Sequence, residues 1–372
     1  MQEDLLFKLA LREVDGVGGV LFRHLISFFG SAKKVIEAPV GALTKVPGVG
    51  KNLARGIASA HENLKAAEIL IEKSARLQHK ILTFQDADYP SRFKGIYDAP
   101  PILFYTGKPI LSNTKTIGIV GTRKATAYGK RMTEDLVQGL SASEVSIISG
   151  LAYGIDIAAH KAALKAHLPT LAVMAGGLDF VYPAVHRKYT SEIVENGALL
   201  SENKLGTVPV GPQFIARNRI IAALSDVVVV VESAKRGGGL VTAEYANNYH
   251  RDVYAFPGNL GEPFSEGTNA LIAQNKAKIF TGVDDFLNDM LWDKNDESLQ
   301  VHTRSLDLSL FSEDESKVLA LLREKGECLI DDISFDANIP LNKLASLLLN
   351  LEFQEVVKAM PGKKFALKMN FN

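Results

Sequence analysis

Residues 116–136, TIGIVGTRKATAYGKRMTEDL, begin with a continuous apolar run, pass through a glycine and a basic pair, and end in an amphipathic stretch. The same form recurs along the chain, and strands that are buried on both faces are continuously apolar in this way. Helical stretches between such strands make the sheet parallel. The other runs are VSIISG (145–150), TLAVMAGG (170–177), ALLSEN (198–203), DVVVVVES (226–233) and DVYAFPG (252–258). We therefore predict an α/β fold with a doubly wound parallel sheet over residues 81–283.

The chain before this unit has a different pattern. Residues 1–80 carry apolar side chains at helical intervals, interrupted by the glycine clusters DGVGG and PGVGK, which predicts a helical domain of the helix-hairpin-helix or SAM-like type. The backbone amides of PGVGK could hold a nucleic-acid phosphate, and a protein-interaction domain is the alternative. Residues 82–112 are typical of extended lead-in structure that adds a strand or covers a sheet edge.

The chain after the unit is first acidic and then helical. Ten acids and two bases fall between residues 284 and 315, so we predict a solvated linker over 284–311. Three helical patterns and two short strands follow over 312–372, which is the arrangement of a winged-helix domain. The third helical pattern, LNKLASLLLNLE, has Lys343 as its single base. A DNA-reading helix presents several polar or basic side chains, so protein contact or packing within the domain is favoured over groove binding.

The composition limits the function classes. The 372 residues include 42 Lys+Arg and 42 Asp+Glu, a net charge of zero that excludes a polybasic tail protein. Cys328 is the single cysteine, so the chain can form neither an intrachain disulfide nor a thiolate zinc site, and a reducing compartment is indicated. Acids occur within the first four residues, and no run of about 18 apolar residues is present. We expect a cytoplasmic protein without a membrane segment.

The loop of the first unit is the first candidate binding site: Gly121, Thr122, Arg123 and Lys124. Its strand ends at Gly121, and we expect a helix from Thr133 onward. An anion in the loop would then meet free N–H groups and the positive end of that helix. The G-x-G-x-x-G dinucleotide fingerprint requires glycine where Arg123 stands, so a phosphate site without a dinucleotide is predicted. A tight turn with an incidental surface arginine is the alternative.

The second candidate is the glycine-rich turn in SGLAYGIDIAAHKAAL, which Gly150 and Gly154 bracket. Asp156 lies near the start of the following helix, where a carboxylate caps free amides, so we interpret it as a cap rather than a catalyst. His160 is interpreted mainly as a packing residue, with ligand contact as the alternative. Lys161 is long and cationic. Its position is equally consistent with contact to a phosphate and with exposure to solvent alone.

The third candidate is the crevice rim in MAGGLDFVYPAVHRKY. This segment ends a strand at Gly177 and places Tyr182, His186, Arg187 and Lys188 after it. A mixed aromatic and basic rim suits a nucleobase with its phosphate. An interpretation in which Tyr182 simply covers the core is equally consistent with the segment.

Two further basic segments follow. Two arginines flank an asparagine in FIARNRIIAALS, where we expect a helix start, and arginines on so short a loop are costly unless they meet anions. A basic pair then precedes the triple glycine 237–239, which predicts another nest of N–H groups beside cations. The candidates from these segments are Arg217, Asn218, Arg219, Lys235, Arg236 and Gly238.

The sequence offers little support for catalysis. It contains no H-E-x-x-H, no G-x-S-x-G, no Walker lysine motif and no Cys/His cluster, so we expect no catalytic residue, no metal and no cofactor. The alternative rests on GGGLVTAE, which resembles the phosphate-and-ribose loop of nucleotide phosphoribohydrolases. In that interpretation Glu244 would assist glycosidic cleavage, although the second constellation of those enzymes is not recognisable.

Several motifs together resemble one bacterial family. IVGTRKATAYG, SGLAYGIDIAAHKAAL, GGLDFVYP, LLSE, ARNRIIAALS, VYAFPGN and GTNALI occur in the order found in the DNA-processing protein family DprA/Smf, over residues 82–279. The resemblance implies an extended Rossmann-like fold that binds single-stranded DNA in a positive crevice, without cofactor or catalysis. It also implies delivery of strands to the RecA recombinase, displacement of single-strand-binding protein, and a homodimer that acts in natural transformation.

The resemblance also assigns roles to residues. Arg123, Lys161, Arg217 and Arg219 would hold phosphates, and three glycines would allow the DNA backbone to approach closely: Gly150, Gly154 and Gly177. The segment GTNALIAQ would carry the dimer contact. One departure is that many members have a serine before the glycine of GGGLVTAE, which bears on a hydroxyl contact to the strand.

Overall fold

The computed structural model describes residues 2–108, 115–292, 311–354 and 356–368. Within these ranges, nine strands form one large sheet in the order β1-β2-β6-β5-β4-β3-β7-β8-β9. Strands β3 to β9 are mutually parallel, whereas β1 and β2 are antiparallel additions at one edge. The strands are β1 (Lys80–Thr83), β2 (Ile102–Gly107), β3 (Lys115–Val120), β4 (Val145–Ser149), β5 (Thr170–Val173), β6 (Ala198–Ser201), β7 (Val227–Val230), β8 (Asp252–Ala255) and β9 (Lys278–Ile279).

The order of the strands confirms the doubly wound parallel sheet. From β3 the chain winds to β4, β5 and β6 on one side, and from β7 it winds to β8 and β9 on the other. The lead-in prediction is confirmed over residues 82–108, since β1 and β2 lie at the edge beside β6, and residues 109–112 lie outside the described residues. The direction in which successive strands are added reverses between the parallel neighbours β3 and β7. A ligand crevice forms at this position in such sheets.

Helices cover both faces of the sheet. One apolar layer includes Leu136 and Ile155, and the opposite layer includes Ile220 and Ala243. The helices of this unit are α7 (Ala127–Gly139), α8 (Ile155–Lys165), α9 (Thr190–Asn196), α10 (Gly211–Leu224), α11 (Gly238–Asn248), α12 (Glu266–Ala273) and α13 (Val283–Asp289). Short 3-10 helices span Ser91–Phe93 and Ala184–Tyr189.

The residues before the sheet are helical and share a core with it. They form α1 (Gln2–Arg12), α2 (Gly19–Phe29), α3 (Ala32–Ile36), α4 (Val40–Leu43), α5 (Lys51–Ala58) and α6 (Leu64–Arg76), with a 3-10 helix at Ala60–Asn63. Phe22 and Ile57 belong to the same apolar cluster as Phe104 and Met174 of the sheet unit. These helices are therefore packed on the edge of the sheet rather than separated from it.

The start of the acidic segment is folded, which corrects the prediction of a solvated linker from residue 284. Phe286 of α13 is 1% exposed and packs in the cluster that contains Ile117 and Val229, with Met290 beside it. Acids such as Asp284 face solvent while the apolar side chains point inward, so counting charges alone concealed the buried face. The rest of the predicted linker, residues 293–310, lies outside the described residues.

The C-terminal residues form a small α+β unit with its own core. Its elements are α14 (Glu313–Lys325), β10 (Cys328–Leu329), α15 (Ile330–Asp336), α16 (Leu341–Phe353), β11 (Val357–Met360) and β12 (Lys364–Leu367). The described strands pair in the order β10-β12-β11. Val318, Leu322, Leu344 and Leu348 are buried between the helices and this sheet. The three helical patterns and the hairpin are confirmed, and the two-residue strand β10 is an addition.

Replacing Phe286 by alanine tests whether α13 belongs to the α/β core. We expect Phe286→Ala to lower the free energy of unfolding by about 3–5 kcal/mol, because a fully buried aromatic side chain leaves a cavity. Urea denaturation followed by circular dichroism measures this loss. Asp284→Ala, at an exposed position of the same helix, is the matched control and is expected to change stability by less than about 0.5 kcal/mol. Equal stability of the two variants would mean that residue 286 lies in a solvated segment.

Candidate nucleic-acid interface

A cavity of about 510 Å³ opens where the winding of the sheet reverses. Loops that follow β3 and β7 form two of its walls, and the helices α10 and α11 form the others. The residues that line it include Gly121, Thr122, Arg123, Lys124, Ala152, Asp156, Phe214, Ile215, Arg217, Asn218, Gly237, Gly238, Gly239, Thr242 and Phe264. The structure thus brings together predicted site residues from three segments of the chain, 121–124, 217–218 and 238.

The loop after β3 presents two cations to this cavity. The Thr122 amide donates to the Glu232 carbonyl oxygen at 2.7 Å, and the Lys124 amide donates to Thr122 Oγ1 at 3.1 Å. Arg123 and Lys124 are exposed. The Arg123 guanidinium lies over the Phe214 ring, 5.1 Å from its centroid. A cation held over an aromatic face leaves its outer edge available to an anion.

The helix after this loop begins earlier than predicted, and its start is already occupied. Helix α7 begins at Ala127 rather than at Thr133, and Thr126 is its N-cap. The Glu232 carboxylate accepts hydrogen bonds from the Thr126 amide at 2.9 Å and from Thr126 Oγ1 at 2.5 Å. The predicted anion at the positive end of this helix is therefore the protein's own carboxylate, not a ligand.

The start of α11 is the open counterpart. Gly237 is its N-cap, and no side chain in the described ranges caps it. A Cβ added to Gly238 would meet no described atom within 4 Å. Lys235 and Arg236 are exposed immediately before it. The start of α11 thus lies open beside two exposed cations, where the sequence predicts a nest of N–H groups, and Gly238 lines the cavity.

Arg217 is placed differently from its predicted position. It lies in the middle of α10, not at a helix start, and it is 4% exposed. Its Nη1 donates to the carbonyl oxygens of Gly150 at 2.6 Å and Val173 at 2.5 Å, and Nη2 lies 4.0 Å from the Asp156 carboxylate. Its cation is thus satisfied inside the protein, where it forms part of the cavity floor. Asn218, beside it, faces Gly238.

The other predicted cations lie away from the cavity lining. Arg219 donates to the Asp98 carbonyl oxygen at 2.7 Å and forms an ion pair with Glu202. Lys161 is exposed on α8, and Arg187 is exposed on the 3-10 helix that follows β5. These three side chains are not among the described residues that line the cavity; Lys235 and Arg236 are also outside the lining, but they lie next to Ala234 and Gly237, which belong to it.

The predicted glycines are required by the protein's own atoms rather than by a ligand. A Cβ on Gly150 would lie 2.1 Å from the Arg217 guanidinium, and one on Gly154, which has φ +79°, would lie 2.1 Å from the Thr122 carbonyl oxygen. A Cβ on Gly177 would lie 2.5 Å from the Lys204 carbonyl oxygen. These positions therefore require glycine because other atoms approach them closely, but those atoms belong to the protein and not to DNA.

Both histidines considered from the sequence are structural. His160 is buried, its Nδ1 pairs with Thr170 Oγ1 at 2.7 Å, and burial lowers its pKa to about 3, so the ring is neutral at pH 7. His186 is buried with its Nδ1 at 2.7 Å from the Leu151 carbonyl oxygen. Asp156 accepts from the Ala152 amide at 3.4 Å, in the loop before α8, whereas the N-cap of α8 is Gly154 and no side-chain cap bond is present there among the described residues; the carboxylate therefore closes the preceding loop rather than capping the helix. The ligand-contact alternative for His160 is wrong.

Tyr182 and Phe214 form an aromatic pair at the mouth of the cavity, and the sequence analysis singles out only Tyr182. Tyr182 is 46% exposed, and its ring lies 5.3 Å from that of Phe214. Tyr182 thus lies at the rim as predicted, whereas Phe214 was not singled out, because a phenylalanine in an apolar helical pattern is typical of a core residue. Exposed aromatic faces beside cations are suited to stacking with unpaired bases.

Two features bear on catalysis and metals. Glu244, the acid of the phosphoribohydrolase alternative, is exposed on α11 and is absent from the described cavity lining. Among the described residues, no group of three or more His, Cys, Asp or Glu side chains could hold a metal ion.

In the described ranges, no helix has both the length and the apolar character needed to cross a bilayer.

Comparison with known proteins identifies the family. Residues 80–291 match the family model described as DNA recombination-mediator protein A. The chain belongs to this family. The match covers the whole α/β unit, including α13, and confirms the resemblance to DprA/Smf that the sequence motifs carry.

Individual relatives agree with this assignment. Protein Smf of Synechocystis sp. is 38% identical over 255 residues, which cover 67% of this chain and 63% of that protein. DNA processing protein A of Streptococcus pneumoniae has a similar structure, with a TM-score of 0.67, 31% identity, and coverage of 76% of this chain and 95% of the other. The corresponding Helicobacter pylori structure, described as showing a single-stranded DNA binding mode, gives a TM-score of 0.53, 33% identity, and coverage of 57% and 96%.

Removing the Arg217 guanidinium tests its internal role. We expect Arg217→Met to lower the free energy of unfolding by roughly 3–5 kcal/mol, because the substitution leaves the Asp156 carboxylate buried without its cation. Chemical denaturation measures this, and Arg187→Met, at an exposed arginine, is the control. A variant that is as stable as the control but binds nucleic acid poorly would instead make Arg217 a ligand contact.

Proposed function

We propose that the crevice between β3 and β7 binds single-stranded DNA and that the protein acts as a recombination mediator without catalysis. The observation that carries this proposal is the start of α11, which has no side-chain cap in the described ranges and lies near the exposed Tyr182 and the half-buried Phe214, with cations on both sides. The residues proposed to contact the strand are Arg123, Lys124, Phe214, Tyr182, Lys235, Arg236, Gly238 and Gly239.

Single-stranded DNA fits these groups better than duplex DNA does. The faces of Phe214 and Tyr182 can stack only on unpaired bases, and amides with cations bind phosphates without reading sequence. The formal net charge of zero excludes a general polycation, so binding to DNA requires a local group of cations such as the one beside this crevice. The single-stranded DNA binding described for the Helicobacter pylori relative supports the proposal.

A nucleotide phosphoribohydrolase-like activity is the alternative. Its acid, Glu244, lies outside the described cavity lining, which includes no serine, cysteine or histidine. The binding role is therefore favoured. Incubating the protein with nucleoside monophosphates and measuring free base separates the two: release of base at enzymatic rates would establish the alternative.

The partners follow from the family. The description of the family as a recombination mediator supports delivery of strands to the RecA recombinase in the cytoplasm, with displacement of single-strand-binding protein during transformation. A homodimer is proposed through α12 and its surroundings. Leu260, in the loop before α12, is 94% exposed, and Ile279 is exposed on the edge strand β9. Exposed apolar side chains at a sheet edge are suited to subunit contact.

The flanking units are proposed as accessory domains. Helices α1 to α6 support a helix-hairpin-helix-like domain, and α14 to α16 with β10 to β12 support a winged helix. The exposed face of α16 carries Leu341, Leu349 and Phe353, and Lys343 forms an ion pair with Asp314. This apolar face favours protein contact over binding to the DNA groove.

Salt dependence tests the strand-binding proposal. Four to six phosphate contacts predict that log affinity for poly-dT falls with log salt at a slope of roughly −3 to −4, because each neutralised phosphate contributes about 0.7. Fluorescence anisotropy at several salt concentrations measures the slope. Affinity that does not respond to salt, or a preference for duplex DNA, would contradict the proposal.

Replacing Arg123 by alanine tests the nature of its contact. We expect Arg123→Ala to weaken binding to all single strands alike, because a phosphate contact carries no sequence information. Affinities for poly-dT, poly-dA and poly-dC measure this, and Lys161→Ala, at a cation outside the cavity, is the control. A changed base preference at unchanged mean affinity would show that Arg123 reads bases.

A further inference from the structure

We propose that Glu232 is the positioning residue of the strand-binding crevice. Its carboxylate stands in place of a ligand anion at the start of α7, holds the loop that carries Arg123, and leaves the start of α11 as the position for a strand phosphate. This inference rests on the proposed function, which it deepens by assigning each of two neighbouring helix starts a different anion.

The carboxylate of Glu232 binds Thr126, the N-cap of α7. It accepts from the Thr126 amide at 2.9 Å and from Thr126 Oγ1 at 2.5 Å, and the residue is 4% exposed. A Cβ at Gly129 would lie 2.1 Å from Glu232 Oε2, so only glycine leaves room for the carboxylate. Thr126 Oγ1 in turn accepts from the Gly129 amide at 3.2 Å, so the start of α7 holds a side-chain cap and a buried acid, which disfavour a second anion there.

Glu232 also holds the other end of the loop. The pairing of β3 with β7 continues past both strands, since the Val231 amide donates to the Val120 carbonyl oxygen at 3.1 Å and the Thr122 amide donates to the Glu232 carbonyl oxygen at 2.7 Å. The main chain of Glu232 thus fixes Thr122, and its side chain fixes Thr126. Arg123 and Lys124 lie between these two anchors, so one residue sets the position of both cations.

The two helix starts therefore differ in charge. The positive end of α7 is neutralised internally by Glu232, whereas α11 begins at Gly237 without a side-chain cap in the described ranges. Gly239 lies against Gly121, where an added Cβ would be 3.2 Å from the Gly121 Cα, so the two starts share one crevice. The carboxylate of Glu232 compensates the positive end of α7, whereas no side chain in the described ranges compensates that of α11. A DNA phosphate is therefore expected to bind at the start of α11.

The test compares Glu232→Ala with Glu232→Gln in the full-length protein. Glutamine retains an acceptor for the Thr126 amide and a partner for Thr126 Oγ1, whereas alanine removes both. We expect Glu232→Ala to increase hydrogen exchange at Thr122 and Thr126 at least about tenfold and to reduce the slope of log affinity against log salt by about 0.7, as one phosphate contact is lost. Glutamine should restore most of the protection and most of the affinity.

Acetate adds a second readout. In Glu232→Ala, acetate exchanged for chloride at constant ionic strength should occupy the vacated site and improve single-strand binding, while wild-type protein shows no such gain. Glu244→Ala, which removes an exposed acid of α11, is the control for general charge. If Glu232→Ala fails to fold by circular dichroism, Thr126→Ser, which keeps the hydroxyl that caps the Gly129 amide at 3.2 Å, is compared with Thr126→Val, which removes both that cap and the Glu232 partner; the valine variant should show the same changes and the serine variant should not.

Three results would overturn the inference: a folded Glu232→Ala that binds strands like wild type, a glutamine variant as defective as alanine, or an acetate response equal to that of the control. The proposed function fails separately, when wild-type protein does not bind single strands. In that case hydrogen exchange at Thr122 and Thr126 still decides whether Glu232 positions the loop.

Discussion

The parallel pairing of β3 with β7 is the constraint on which the rest of the molecule depends. Ile117 pairs with Val227 and Val120 with Val230, and all four side chains are buried. The chain leaves β3 toward one face of the sheet and leaves β7 toward the other, so the loops after them separate and the helices that follow begin at a common crevice. Every contact proposed for DNA lies on those two loops or on the helices beside them, except Tyr182, which follows β5 and reaches the crevice through its ring contact with Phe214.

Charge is divided between internal and external roles within this crevice. Arg217 and Glu232 are buried and satisfied by the protein, and they shape the floor and the loop. Arg123, Lys124, Lys235 and Arg236 are exposed and supply the positive surface. A chain with a formal net charge of zero can therefore carry a local strand-binding groove, because its acids lie on other surfaces or, like Glu232, inside.

The strands and the location of the site could be predicted from the sequence, whereas the partners of its charged residues could not. Apolar runs such as VVVVV report burial on both faces directly. The acceptors of Arg217 lie 67 and 44 residues away in the chain, and Glu232 binds Thr126 across 106 residues. Local sequence patterns contain no information on such partners. The sequence therefore predicts a ligand contact for Arg217, whose guanidinium is in fact buried and bound by the protein. Phe286 was misassigned for the same reason, since neighbouring acids concealed its burial.

The most direct test of the central claim is a crystal structure of the protein with a short oligo-dT. We predict a phosphate oxygen within hydrogen-bond distance, about 3 Å, of the Gly238 or Gly239 amide, a base stacked on Phe214, and Glu232 still bound to Thr126. A strand bound elsewhere on the protein, or a phosphate at the start of α7 with Glu232 displaced, would contradict the account.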